Sequence, residues 1–144
     1  MRAPSGFRPE RLNRPDWYVE RGGEWRLRAT RCTGCGWLTF PAAKVCPRCW
    51  PTPPLEETVL PDSGTLLSWS TATIAPLRFR PPYAFGYADL TPTVRLFGQI
   101  EHDGDEGALA LDMRIDLVLG VVSHDEKGEP VWAYKFAPTK GGAG

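Results

Sequence analysis

Four cysteines are the residues of this chain whose type and spacing best suit chemistry. They form two pairs, Cys32 with Cys35 and Cys46 with Cys49, and ten residues separate the pairs. A tight turn between two cysteines places both thiolates on one side of a metal ion, and two such turns complete a tetrahedral set of ligands. The spacing predicts a structural zinc ribbon, in which four thiolates leave no position open for water or substrate.

Two other uses of paired cysteines are disulfides and redox-active CxxC motifs. The chain begins Met1-Arg2-Ala3-Pro4, without the apolar run of a secretory signal or a membrane span, so we expect a cytoplasmic protein. Disulfides seldom persist in that compartment, and a redox CxxC normally opens a helix of a thioredoxin-like unit that the sequence does not predict. Zinc is therefore the favoured interpretation.

The residues beside the cysteines are suited to the two metal-binding turns. Thr33-Gly34 allows a positive φ in the first turn, and Gly36 leaves backbone N–H groups free to approach the sulfurs. The second turn is less regular, because Trp50 stands where a glycine would match Gly36. We expect Trp50 to cover the metal site or to pack against a neighbour.

A short helix is predicted over residues 13–21, immediately before the ribbon. Pro15 suits its first turn, and Gly22-Gly23 would end it. Trp17 and Tyr18 are large side chains on a helix too short to be stable alone, so they must dock within this chain or on a partner.

A basic strand and a stiff connector complete the N-terminal module. Residues 25–31 alternate apolar with basic side chains, as in a half-buried strand that leads into the first cysteine turn. Three prolines at residues 51–54 predict an extended connector. We therefore divide the chain into a helix and zinc ribbon at residues 1–54 and a second module at residues 55–144.

The second module has the pattern of a small β-barrel. Gly98 and Gly120 interrupt apolar runs where barrel strands bend or bulge. The absence of a long helical pattern predicts a mainly β protein whose C-terminal part is a five-stranded OB-fold barrel, with an SH3-like barrel or a small sandwich as alternatives. The predicted strands span residues 64–74, 83–90, 94–101, 115–122 and 131–136.

Charge is distributed unevenly along the chain, although the formal net charge is zero. Residues 1–50 contain ten Lys and Arg against four Asp and Glu, and the remainder contains seven against thirteen. A basic segment of this kind suits nucleic acid, a phosphate-bearing ligand or an acidic protein surface. The sequence contains no P-loop, dinucleotide glycine motif or Gly-x-Ser-x-Gly elbow, so we expect a binding or accessory role without a catalytic set of its own.

The segment between the first two barrel strands is the strongest candidate for ligand or partner contact. Three prolines hold it extended, and it presents Arg78 and Arg80 beside Phe79 and Tyr83. Guanidinium groups next to aromatic rings can bind phosphates and stack on an adenine. Contact with acidic groups of a partner subunit and a solvated loop are the alternatives, and both remain open.

The order of these parts resembles the rubredoxin-like zinc-ribbon plus OB-fold family, a group of domains of unknown function linked to acyl-CoA metabolism. The resemblance covers nearly the whole chain, and Trp50 departs from it because a glycine is common there. It is carried by residues 31–36, Phe40-Pro41, residues 46–49, residues 64–67, Pro82-Tyr83, residues 96–98 and residues 113–115.

Members of that family are companions of thiolase-fold enzymes. They accompany acetoacetyl-CoA thiolase with hydroxymethylglutaryl-CoA synthase in archaea, and lipid-transfer-protein-like aldolases that shorten steroid side chains in actinobacteria, where a MaoC-like enoyl-CoA hydratase is often fused to the domain. The resemblance implies a non-catalytic subunit that helps to form the CoA-thioester site of its partner, with an acyl-CoA ligand at the shared interface. The alternative function is a nucleic-acid-binding zinc-ribbon and OB module, which the acidic barrel half makes the weaker hypothesis.

Overall fold

β-Strands are the main secondary structure of the chain in its computed structural model, which describes residues 1–49, 54–74, 79–101 and 109–139. The mainly β fold is confirmed. All five predicted barrel strands are present: β6, β8 and β9 extend one or two residues beyond the predicted runs, whereas β5 ends two residues and β7 one residue before the predicted end. The strands are β1 (Tyr18–Arg21), β2 (Glu24–Cys32), β3 (Leu38–Thr39), β4 (Leu55–Val59), β5 (Ser63–Ala72), β6 (Tyr83–Thr91), β7 (Val94–Ile100), β8 (Arg114–His124) and β9 (Pro130–Pro138).

The helix expected over residues 13–21 is wrong in extent. Only Pro15–Trp17 forms a 3₁₀ turn, and Tyr18 begins β1, which pairs antiparallel with β2. Gly22 and Gly23 both have positive φ, 59° and 84°, so they close a two-residue hairpin instead of ending a helix. A second 3₁₀ turn spans Pro9–Arg11, and neither turn approaches the length of a membrane-spanning helix within the described ranges.

Strand β2 organises the ribbon half. It pairs with β1 near its start and with both β3 and β4 toward its end, all antiparallel. Because β2 ends at Cys32, this sheet directly positions the first metal-binding turn. Strand β4 lies just beyond the boundary expected at residue 54, and the division of the chain at that point stays a prediction.

Five strands close the C-terminal half into a barrel of order β5-β6-β7-β9-β8. Four of the junctions are antiparallel, and β7 pairs with β9 in parallel at Ile100 and Phe136. The closed five-stranded barrel agrees with the OB-type expectation.

The barrel has room only for glycine at one paired position of β6 and β7. A Cβ on Gly86 would lie 2.0 Å from the Ser68 carbonyl oxygen of β5, and a Cβ on Gly98 would meet the Tyr134 ring at 3.1 Å. Gly86 and Gly98 are directly paired between β6 and β7. The strands therefore approach their neighbours more closely at this point than a side chain would permit.

A continuous core joins the two halves of the molecule. Phe7 packs edge-on against Trp25 of the ribbon sheet and Trp132 of the barrel, with ring centroids 5.4 and 5.3 Å away. The Asn13 N–H donates to the Trp132 carbonyl at 2.8 Å, and the Tyr134 N–H donates to Tyr18 Oη at 2.9 Å. The N-terminal segment thus runs along β9 and connects the barrel to the ribbon sheet.

Candidate metal centre and contact surfaces

The four cysteines converge on one point. Their sulfurs all lie within 4.8 Å of one another, and none of the four forms a disulfide. The sulfurs of Cys35 and Cys46 are 3.6 Å apart. Tetrahedral zinc with Zn–S bonds of about 2.3 Å requires sulfur separations of about 3.8 Å, so this set fits a zinc ion and contains the predicted ligands Cys32, Cys35, Cys46 and Cys49.

Backbone N–H groups support one sulfur in each turn. Gly34 N donates to Cys32 Sγ at 3.3 Å, and Arg48 N donates to Cys46 Sγ at 3.4 Å. These bonds orient the thiolates and partly neutralise their charge. The sequence-based roles of the two glycines are exchanged: the positive φ, 79°, falls on Gly36, whereas the N–H that contacts a sulfur belongs to Gly34.

The sulfurs affect one another's protonation. The backbone N–H of Cys35, followed by that of Gly34, lowers the pKa of Cys32 to about 7. A hydrogen bond with the Cys35 side chain, followed by burial, raises the pKa of Cys49 to about 12. Coordination to Zn²⁺ deprotonates thiols outright, so a bound ion would resolve these opposed preferences in favour of four thiolates.

Burial separates a protected side of the centre from an accessible one. Cys32 and Cys46 are each 2 % exposed, whereas Cys35 lies at the surface and Cys49 is half-buried. Four thiolates complete the coordination of zinc, so the site stabilises the fold and has no open position for catalysis. Trp50 lies outside the described residues, and its expected cover over the metal stays a prediction.

Trp17 and Tyr18 both dock within the chain. Trp17 is half-buried and meets the ring of Phe40 edge-on at 5.2 Å, with the Arg14 guanidinium 4.8 Å from its centroid. Tyr18 is 7 % exposed, and its hydroxyl accepts the Tyr134 N–H of the barrel. A contact of either side chain with a partner stays a prediction.

The segment expected to contact a ligand or partner is only partly described, because Arg78 lies outside the described residues. Phe79 is half-buried with its ring centroid 6.1 Å from that of Tyr83, and Arg80 is exposed. Phe79, Arg80 and Tyr83 therefore lie near one another at the start of β6. Their role in binding stays a prediction.

A larger aromatic surface, which was not predicted from the sequence, continues from this segment. Tyr83, Phe85 and Tyr87 project outward from β6, and Phe97 projects from β7 beside them. The sequence showed that these rings alternate with small residues. It did not show which side of the strand would face outward. We call the surface formed by Phe79, Tyr83, Phe85, Tyr87 and Phe97 the aromatic face.

Ion pairs neutralise most of the basic N-terminal third. For example, Arg11 contacts Asp125 at 2.6 Å and Arg28 contacts Glu57 at 3.1 Å. Many of the acids belong to the acidic remainder of the chain, so the uneven charge of the sequence is largely balanced inside the fold. The paired basic residues are Arg2, Arg8, Arg11, Arg14, Arg26, Arg28 and Arg31.

Comparison with known proteins agrees with both halves of the fold. Residues 20–52 match the family model of the ChsH2 rubredoxin-like zinc ribbon domain, and residues 57–120 match that of the ChsH2 C-terminal OB-fold domain. The benzoylsuccinyl-CoA thiolase subunit BbsA of Thauera aromatica is 35 % identical over 130 residues, which cover 90 % of this chain and 85 % of that protein. The chain belongs to the ChsH2-type zinc-ribbon and OB-fold family.

Two further proteins are similar to this chain. A DUF35 domain-containing scaffold protein of Methanocaldococcus jannaschii is 30 % identical over 115 residues, which cover 78 % of this chain and 81 % of that protein. A solved structure titled Ltp2-ChsH2(DUF35) aldolase superposes with a TM-score of 0.61 at 23 % identity, covering 78 % of this chain and 84 % of the matched chain. At that identity the structural match supports the fold.

Proposed function

We propose that this chain is a non-catalytic accessory subunit of a thiolase-like acyl-CoA enzyme. The observation that carries the proposal is the 35 % identity to a thiolase subunit along 90 % of the chain. A match of this length includes the ribbon, the barrel and their junction. An accessory role also suits the metal centre, whose four thiolates would saturate a zinc ion.

A specific reaction and substrate class can also be proposed for the partner enzyme. We infer from the family resemblance that the partner is a retro-aldolase acting on steroid side-chain CoA thioesters, and that this chain helps to form its CoA-thioester site. A MaoC-like enoyl-CoA hydratase is a further proposed partner. The name of the Thauera relative offers a competing substrate class, an aromatic acyl-CoA cleaved by a thiolase.

Co-expression with candidate thiolase-fold proteins from the same genome, beginning with any that is encoded beside this chain, tests the proposal. We expect the two polypeptides to co-purify in a fixed ratio, and we expect the thiolase-fold protein alone to lose most of its activity. Cleavage would be assayed with a steroid side-chain CoA thioester and, separately, with benzoylsuccinyl-CoA. The first substrate reports retro-aldol cleavage, and the second reports CoA-dependent thiolysis.

The outcomes test the accessory role and the steroid substrate separately. If the two proteins neither co-purify nor alter each other's activity, the accessory role is wrong. Binding with cleavage of only the aromatic thioester would keep the accessory role and reject the steroid substrate. An unrelated zinc-ribbon protein added to the same assay is the control for nonspecific stabilisation.

Nucleic-acid binding is a second candidate because aromatic rings project from β6 and β7, a surface that OB-folds use for oligonucleotides. The ion pairing of the basic N-terminal third weakens this candidate, since phosphate contacts need available cations. Titration of a fluorescent single-stranded oligonucleotide at two salt concentrations tests it. Micromolar affinity that falls steeply with salt would support it.

A further inference from the structure

The aromatic face is the largest run of aromatic contacts on the surface of the described chain. We propose that it is the surface covered by the thiolase-like subunit, through an apolar patch on that subunit. This inference rests on the proposed function, and it adds the side of the molecule on which the partner lies.

Two rings of the aromatic face are far more exposed than aromatic side chains usually are. Tyr87 is 47 % exposed and Phe97 is 51 % exposed, and their centroids lie only 5.3 Å apart across β6 and β7. Neighbouring exposed apolar side chains on a monomer commonly mark an interaction site, whereas scattered ones do not. Tyr and Phe are also enriched at the centres of protein interfaces.

The exposed pair continues into a row of rings. Phe85 lies 5.6 Å from Phe97 and 6.2 Å from Tyr83, whose ring is in turn 6.1 Å from that of Phe79. From Tyr83 to Tyr87 the row follows β6 for about 13 Å at the usual strand rise. Clustered aromatic side chains such as tyrosine are the kind of residue that contributes most of the binding energy at the centre of an interface.

The backbone beneath the rings is already fixed. Tyr134 Oη donates to the Phe97 carbonyl at 2.6 Å, and Gly86 pairs directly with Gly98 between the two strands. A surface held by a closed barrel loses little conformational entropy when a partner binds. The aromatic face is therefore pre-organised for a rigid partner.

The charges around the aromatic face favour an apolar protein surface over a polyanion. Asp89 and Arg95, at the far ends of the outward rows, pair with each other at 2.8 Å, and Glu101 pairs with Lys135 at 3.5 Å. Arg80 is exposed beside the opposite end. Arg95 and Lys135 already pair with carboxylates, so phosphates of nucleic acid would have to displace those acids to contact them.

The experiment measures the dissociation constant of this chain for the purified thiolase-fold protein used in the co-expression test. The test variants are Tyr87→Ser, Phe97→Ser and the double variant, and the matched control is Leu111→Ser, which alters a 63 % exposed apolar side chain outside the aromatic face. We expect the double variant to bind about 30-fold more weakly or worse, as for loss of a central contact cluster, and the control to bind like the wild type.

Folding is checked separately by zinc content and thermal unfolding. If the double variant does not fold, Tyr87→Lys alone takes its place, since a lysine at that 47 % exposed site is solvated in the free chain and would be buried in the complex. A loss of binding in this variant supports the inference equally.

The remaining outcomes would contradict either the proposed function or the position of the partner. If the wild-type chain does not bind the thiolase-fold protein, the proposed function fails before the inference is tested. If the wild type binds and the folded double variant binds within threefold of it, the aromatic face is not the contact and the inference is wrong. Loss of self-association or of oligonucleotide binding in the double variant, with partner binding unchanged, would assign the face to a second copy or to nucleic acid and would also overturn it.

Discussion

Cys46 lies on the buried side of the metal centre, where loss of a ligand should destabilise the ribbon. It is 2 % exposed, and its sulfur accepts the Arg48 N–H. A serine at this position would supply a poor zinc ligand in a site shaped for sulfur, while the other three thiols would remain close together. The loss of metal should therefore exceed any local packing defect.

We predict that Cys46→Ser lowers bound zinc well below the one ion per chain expected for a four-cysteine site. Structural zinc supplies roughly 10–16 kcal/mol of apparent binding free energy in zinc-finger peptides, so the melting temperature should fall strongly. The control is Val45→Ser, which changes the adjacent, 42 % exposed side chain. Elemental analysis and thermal unfolding provide the measurements, and full zinc occupancy in Cys46→Ser would contradict the prediction.

Gly86 is a second position at which a single substitution should lower the stability of the chain. In Gly86→Ala the new Cβ would lie 2.0 Å from a backbone oxygen of β5, so the barrel must shift where strands are hydrogen-bonded. We expect a loss of about 3 kcal/mol in the free energy of unfolding, measured by urea denaturation. Ser70→Ala, at an exposed position of β5, should change it by less than about 0.5 kcal/mol. Wild-type stability in Gly86→Ala would show that the two strands can separate at little cost.

The contact between β1 and β9 shows how the ribbon sheet depends on the barrel. Tyr18 begins β1, and its hydroxyl is the acceptor for the β9 N–H of Tyr134. Burial raises the pKa of Tyr18 above its ordinary value of 10.0 and that of Tyr134 to about 12. The hydrogen bond and the raised pKa both show that the Tyr18 hydroxyl is enclosed where β1 meets β9.

We predict that Tyr18→Phe destabilises the chain by about 1–3 kcal/mol, because it leaves the Tyr134 N–H buried without an acceptor. Tyr87→Phe is the matched control, since it removes a hydroxyl from a 47 % exposed ring. Urea denaturation at pH 7 compares the two variants. Equal stabilities would mean that water replaces the lost acceptor.

The raised pKa of Tyr18 predicts a dependence on alkaline pH. The folded chain holds the phenol proton more tightly than the unfolded chain, so this group leaves stability unaffected below pH 10 and lowers it as the pH rises beyond that value. Each such tyrosine contributes a slope of up to about 1.4 kcal/mol per pH unit. Unfolding midpoints at pH 9, 10 and 11 should fall less steeply in Tyr18→Phe, and equal slopes would contradict the assignment.

Secondary structure was predictable where side chains alternate in polarity or size, as in β7 to β9. The helix over residues 13–21 was not, because Gly22-Gly23 is compatible with the end of a helix and with a hairpin, and only pairing with β2 decides between them. The side of β6 that faces outward could not be predicted from the sequence either. Ala84, Gly86 and Ala88 occupy the interior because the closely approaching strands leave no room for the larger Tyr and Phe side chains.

At the scale of the whole molecule, the ribbon and the barrel share one buried core. Phe7 contacts tryptophans of both halves, and the Asn13 and Tyr18 hydrogen bonds cross the same junction. No pattern in the sequence indicated this junction, because its partners lie more than a hundred residues apart along the chain. The four metal ligands were predictable because they are close in sequence.

We predict that the two halves unfold together. Zinc release, followed with a chromogenic chelator, and loss of barrel structure, followed by the amide NMR signals of β5 to β9, should have the same urea midpoint, because a shared core makes unfolding cooperative. Zinc release at a clearly lower urea concentration would show that the ribbon opens alone. Arg8→Gln, which removes an exposed ion pair, is the control that should leave both midpoints in place.

The aromatic face also has a consequence for the handling and production of the free chain. With a formal net charge of zero at pH 7, the free molecule has little mutual repulsion to keep its exposed rings apart. Static light scattering should therefore show particle growth at pH 7 that decreases at pH 9 and in the Tyr87→Ser/Phe97→Ser double variant. Absence of growth would show that local surface charge is enough to protect the rings. Colloidal fragility of this kind would favour matched synthesis of this chain and its partner, so that neither accumulates alone.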